Sequence, residues 1–103
     1  MTVYVTQENP SFDYSPAEEY GDVVFVSKDD YSTMPNSLLN DDVSAGIRKR
    51  LMQFKHDTDY VVPSGSPVVS AAVFMALGKH GAPIRVLKWV GRNSKYTPIT
   101  LRI

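Results

Sequence analysis

Asp59-Tyr60-Val61-Val62-Pro63-Ser64-Gly65-Ser66-Pro67-Val68-Val69-Ser70-Ala71-Ala72-Val73-Phe74-Met75-Ala76-Leu77-Gly78, continuing to Ile84-Arg85-Val86-Leu87-Lys88-Trp89, decides the fold. An apolar strand (Tyr60, Val61, Val62) enters a turn of Pro, Ser and Gly. A stretch apolar almost all round, Val68 to Leu77, reads as a helix, and Ile84 to Trp89 as a second strand. Such a unit joins two parallel strands through a crossover helix. Ser66 before Pro67 is a cap followed by proline at the first helical position, and Gly78 with Gly81 supplies the stop.

Working towards the N-terminus, Asp41 or Asp42 caps a helix reaching about Lys55, with Val43, Ile47, Leu51 and Phe54 at helical spacing. Ser27 to Asn40, including Asn36, reads as a long loop. Val23-Val24-Phe25-Val26 is a continuous apolar run, the pattern of a strand covered on both faces, and is expected at the centre of the sheet. Ser15-Pro16-Ala17-Glu18-Glu19 predicts one or two helical turns, and Val3 to Thr6 a short strand. Towards the C-terminus, Gly91-Arg92-Asn93-Ser94 turns the chain back as Tyr96 to Ile103, with Pro98 marking an edge strand. The expectation is one α/β domain over 1–103: a small Rossmann-like sheet with at least three parallel strands (22–27, 59–63, 84–89). Two crossover helices at about 43–55 and 66–80 and a C-terminal antiparallel hairpin strand complete it. A split β-α-β arrangement is the alternative.

A chain of 103 residues buries roughly two-thirds of its unfolded surface, which allows one modest core and no separate cofactor domain. The absence of cysteine excludes disulfides, thiol catalysis and Cys-type zinc sites. No apolar run has the length of a membrane span, and Met1-Thr2-Val3-Tyr4-Val5 lacks the charged start of a signal peptide, so a cytoplasmic location is expected. The net charge of zero conceals a segregation. Residues 1–42 hold nine acids and one base, a net of −8, and residues 43–103 hold ten bases and two acids, a net of +8. This pattern fits either a nucleic-acid face with an acidic counterweight or two halves that attract on folding and assembly.

Three stretches carry candidate chemistry. Ser64, Gly65 and Ser66 leave the carboxyl end of a parallel strand and enter a helix, the place where open α/β sheets hold ligands. Free amides, the helix dipole and two hydroxyls there suit a phosphate. The deepest crevice is expected beside them, bordered by the 28–40 loop. No P-loop lysine and no dinucleotide glycine pattern accompany them, and Pro67 removes a donor. Lys88, Trp89, Arg92, Lys95 and Tyr96 mix cations and rings around one hairpin, as single-strand nucleic-acid binders do, although Trp89 also suits a core position. His56 and His80 each follow a helix end and suit its dipole, while Asp29-Asp30 and Asp41-Asp42 suit a solvated loop and a helix cap better than a metal site. No nucleophile–base pair, metal set or cofactor motif is identified, so no catalytic residue, metal or cofactor is assigned.

In the helix from Val68 to Leu77 only Ser70 is polar, so it has no face that prefers water. Either residues 1–21 cover it or another copy does. The sequence reading favours a homodimer or larger homo-oligomer through Val69, Ala72, Val73 and Ala76, with the opposite charges of the two halves at the rim.

Tyr4-Val5-Thr6-Gln7-Glu8, the stretch from Asp13 to Asp22 and the block from Asp59 to Trp89 resemble short proteins encoded in tailed-phage and marine metagenomic genomes. The resemblance implies a viral protein acting in the host cytoplasm and carries no site residues across. The expected function is a non-enzymatic accessory or interaction protein, phage-encoded and homo-oligomeric. A small phosphate- or nucleotide-binding module using the 63–67 turn, and a single-strand nucleic-acid binder using 88–96, are the alternatives.

Overall fold

The computed structural model describes residues 1–35, 37–79 and 81–102; Asn36, His80 and Ile103, and the expectations attached to them, lie outside the described residues. Among the described residues five strands form one sheet: β1 (Thr2–Gln7), β2 (Asp22–Ser27), β3 (Tyr60–Val62), β4 (Ile84–Val90) and β5 (Lys95–Leu101). Their order is β2-β1-β3-β4-β5. β1 pairs in parallel with β2 and β3, and β3 in parallel with β4, while β5 returns antiparallel on β4. The α/β class, the parallel strands and the terminal hairpin are as the sequence implies.

The connections lie on opposite faces. A 3-10 helix, Ser15–Tyr20, joins β1 to β2 and buries Ala17 and Tyr14 against Val3, Val5, Tyr60, Val62 and Leu87. Helices α1 (Leu39–Arg50) and α2 (Pro67–Gly78) cover the other face, where Ile47, Leu51, Val69, Val73 and Leu77 meet Tyr4, Val26, Val61 and Ile84. Burying each Val or Leu of these two layers is worth about 1.5–3 kcal/mol relative to exposure.

Two placements differ from the sequence reading. β2 is an edge strand, and β1 occupies the centre with Val3, Tyr4, Val5 and Thr6 all buried. An apolar run reports covered faces, which holds for Val23, Phe25 and Val26 but not for Val24, which is exposed. It does not report whether a strand has neighbours on both sides. Helix α1 begins at Leu39, ahead of the expected cap, and ends at Arg50. Asp41 and Asp42 sit inside its first turn, where they complement the dipole, and the Ser37 hydroxyl accepts from the Leu39 amide in place of an aspartate cap. Ser66 caps α2 as expected, its hydroxyl accepting from Val68 N at 3.3 Å.

The β4–β5 hairpin has a further effect. Because β4 returns directly as a strand, no helix crosses over β4 and β5 on the α1/α2 face. Ile99 and Leu101 of β5 remain exposed there.

Candidate functional site

The connections leaving β1 and β3 run to opposite sides of the sheet, so the switch point lies at the carboxyl ends of these two strands. It is filled by the chain itself. The Thr6 hydroxyl donates to Ser64 O at 2.7 Å, accepts from Ser64 N at 2.8 Å and lies 2.9 Å from Ser70 Oγ. Gln7 Oε1 accepts from Ser66 N at 2.7 Å, and its Nε2 donates to Asp29 O in the following loop at 3.3 Å. Gly65 has φ +75°, and a Cβ there would collide with the Gln7 side chain at Oε1 and Cβ. Glycine is thus required both by its backbone angle and by the Gln7 side chain lying over it.

Ser64, Gly65 and Ser66 therefore sit at the carboxyl end of β3, but the amides of Ser64, Ser66 and Val68 already meet acceptors of this chain, and the cleft beside Ser64 is bordered by the β4–β5 hairpin and not, as expected, by the 28–40 loop. A phosphate would have to displace the Gln7 amide. Thr6 and Gln7 are the residues that sequence reasoning missed; the available signal was a hydroxyl and an amide together at the carboxyl end of an apolar strand.

Towards β4 the turn has no strand pairing among the described residues. Of β3 and β4 only Val61 and Val86 are in register, Pro63 has no amide hydrogen to extend the ladder, and β4 runs on to Val90. A cleft of about 590 Å³ opens between the turn and the β4–β5 hairpin. Phe12, Trp89 and Tyr96 form part of its wall, with ring centroids 5.2 Å apart for Phe12–Trp89 and 4.9 Å for Trp89–Tyr96. Tyr14 OH lies 2.6 Å from Ser64 Oγ at its border, and among the described residues Lys88 is the one charged lining residue. Burial, with smaller contributions from Tyr14 and Asp13, pushes the Tyr96 phenol up to about 12.

The five hairpin candidates are divided. Trp89 and Tyr96 face the short 3-10 helix, with Tyr96 buried. Lys88 and Lys95, at alternate strand positions, lie on the α1/α2 face, and Arg92 is exposed in the turn. Rings and cations are not presented together. Among the described residues no three His, Asp or Glu side chains converge on a point that could hold a metal ion.

The four helix candidates also divide. Val69 and Val73 are fully buried in this chain's own core, whereas Ala72 and Ala76 are half-buried and line a cleft shared with α1. Outward positions are Val68 (57% exposed), Ala71 and Met75 (75% exposed). Apolar clefts flank this ridge: one of about 370 Å³ towards α1, and one of about 580 Å³ towards β5 that includes Phe74, Ile84 and Leu101. Of residues 1–21, expected as the alternative cover of α2, β1 lies in the sheet beneath it, and Phe12, Tyr14, Ala17 and Tyr20 pack on the opposite face, so the outer side of α2 stays uncovered by them.

Asp59, not singled out in the sequence, is 4% exposed. Its carboxylate accepts from Thr2 N and Lys55 N, each at 2.9 Å, tying the start of β1 to the segment that leads from α1 into β3. The buried Tyr4 phenol is raised by desolvation and then by this carboxylate.

A family model described as "Phage Pam3 gp32-like protein" matches residues 1–103. The chain belongs to that family. The viral context implied by the resemblance of its sequence is thereby shown, and the chain is of a phage-encoded type. No curated protein and no solved structure matches it. No helix among the described residues is long and apolar enough to cross a membrane.

Proposed function

We propose that this is a non-enzymatic phage accessory protein that acts as a homo-oligomer, in which the α2 ridge of one copy packs against that of another. The observation that carries this reading is the exposure of Val68, Ala71 and Met75 on a helix whose one polar side chain, Ser70, is directed inward to Thr6. A surface helix of a monomer ordinarily turns a polar stripe to water, and contiguous exposed apolar surface marks an interaction site. A ridge between two apolar clefts also has the self-complementary relief that a two-fold interface needs. Bases at the end of α1 (Arg48, Lys49, Arg50) and acids at its start (Asp41, Asp42) supply both signs of charge at the rim.

The phosphate-binding reading of the 63–67 turn has less support, because its amides are engaged by Thr6 and Gln7. The nucleic-acid reading has less still, because Tyr96 is buried, Trp89 packs against it, and Lys88 and Lys95 lie on the other face of the sheet. Sedimentation velocity over a concentration series tests the proposal: a mass of two or more chains at micromolar concentration is expected, and a monomer throughout would overturn it.

A further inference from the structure

The sheet ends on β2 at one side and on β5 at the other, and the two edges differ in chemistry. In β5, Pro98 stands opposite Leu87 and brings no amide hydrogen, and the exposed Lys95 and Arg102 flank it. Proline and lysine are the usual guards against a further strand. β2 has neither within Asp22–Ser27, and its register with β1 keeps one offset from Thr2–Asp22 to Gln7–Ser27. The Asp22 amide donates to Met1 O, just ahead of β1, at 3.3 Å. Main-chain groups of successive residues alternate between the two sides of a strand. Asp22, Val24 and Val26 therefore spend theirs on β1, while Val23, Phe25 and Ser27 turn theirs outward. Among the described residues no hydrogen bond from the rest of the chain reaches the main chain of those three.

We infer that this edge pairs with the same edge of a second copy, antiparallel about a two-fold axis at Phe25. The charge pattern selects both occupant and register. Asp22 and Lys28, the one base among residues 1–42, stand three residues to either side of Phe25. Pairing about Phe25 sets Asp22 of each copy opposite Lys28 of the other, at positions where facing side chains approach most closely. In the same register Phe25 faces Phe25 and Val23 faces Ser27, so each outward amide meets an outward carbonyl. Val24, 37% exposed in the single chain, comes to lie against Val26 of the second copy. Moving the axis to Val24 would set Asp22 against a valine and break the ion pairs. The contact is small and belongs to the weak class below about 1,200 Å². It goes beyond the α2 contact and does not depend on it; where both form, two distinct two-fold surfaces on one chain carry assembly past a dimer.

Cysteine cross-linking tests the pairing, because the chain has no cysteine of its own. Asp22 and Lys28 are both exposed, so Asp22→Cys and Lys28→Cys should each keep the fold, which circular dichroism checks. In a mixture of the two variants, one end of the paired edges brings thiol to thiol while the other keeps its Asp22–Lys28 pair. Within either variant alone the equivalent thiols stand about 20 Å apart, beyond disulfide reach. In a glutathione redox buffer the mixture should yield several times more disulfide-linked dimer than either variant alone. That excess should persist with Met75→Glu in both chains and fall severalfold with Val24→Lys in both. Three results overturn the inference. Equal yields from the mixture and the single variants would leave the edge to a strand of some other protein. An excess unchanged by Val24→Lys would deny strand pairing. An excess abolished by Met75→Glu would bring the thiols together through α2 instead. The α2 contact is judged apart from these, by sedimentation of Met75→Glu without any cysteine, so either reading can fail alone.

Discussion

Replacing Met75 by glutamate separates self-association from folding. Met75 is 75% exposed, so within one chain the substitution removes little buried surface. Glutamate is about as good a helix former as methionine, and the effect on monomer stability should stay within about 0.5 kcal/mol. In an assembly that covers α2 the result is different. Burying a methionine is worth about 1.5–3 kcal/mol, and three-quarters of that side chain remains to be covered, so each copy loses about 1.1–2.2 kcal/mol. A two-fold interface counts the change twice, giving about 3 kcal/mol, or roughly a hundredfold or more in Kd, before the cost of desolvating two carboxylates. Sedimentation velocity across a dilution series, paired with urea denaturation at a concentration where the chain is monomeric, reads both quantities. An unchanged urea midpoint with association weakened a hundredfold is the expected outcome. Equal association of variant and parent would refute the placement of α2 at the interface.

Gly65→Ala should destabilise the fold by about 1–3 kcal/mol, because φ +75° is costly for alanine and the new methyl group meets the Gln7 side chain; a urea midpoint unchanged from the parent would contradict the close approach. Tyr96 gives a pH signature. Its phenol is raised from 10.0 to about 12, so the folded state keeps a proton that the unfolded state releases. The contribution is complete below pH 10 and is lost as pH rises towards about 12. Tyr96→Phe should flatten the fall in stability over that window, leaving the smaller part due to Tyr4 and Tyr20, whose phenols are also raised. Equal slopes for the two proteins would show that Tyr96 titrates normally.

The β3–α2–β4 unit was legible because three independent signals agree within thirty residues: β-branched runs, a Ser-Pro start and a Gly stop. Lateral order in the sheet was not legible, as β1 and β2 show. Both are apolar runs, and only tertiary pairing decides which strand gains a second neighbour. The phase of α2 was equally hidden. When every side of a helix is apolar its sequence cannot say which side faces the sheet, so Val69 and Val73 could not be told apart from Val68 and Met75. The turn at 63–67 was placed correctly, but the amide of Gln7 that occupies it comes from nearly sixty residues away, and no local pattern announces such a partner.

The central position of β1 also orders the chain in time. Its contact with β2 closes over 20 residues (Thr2 with Asp22), whereas its other edge must wait for β3, 57 residues on (Val3 with Tyr60). Closing the longer loop costs more entropy, and pairing between such distant strands is intrinsically slow. During synthesis the middle of the sheet is made first and stays half-finished until residue 62 has emerged. After that each new strand adds beside the one before it, β4 next to β3 and β5 next to β4. The open flank of β1 in the interval is, like the outer edge of β2, free to pair with a neighbouring chain on the same polysome.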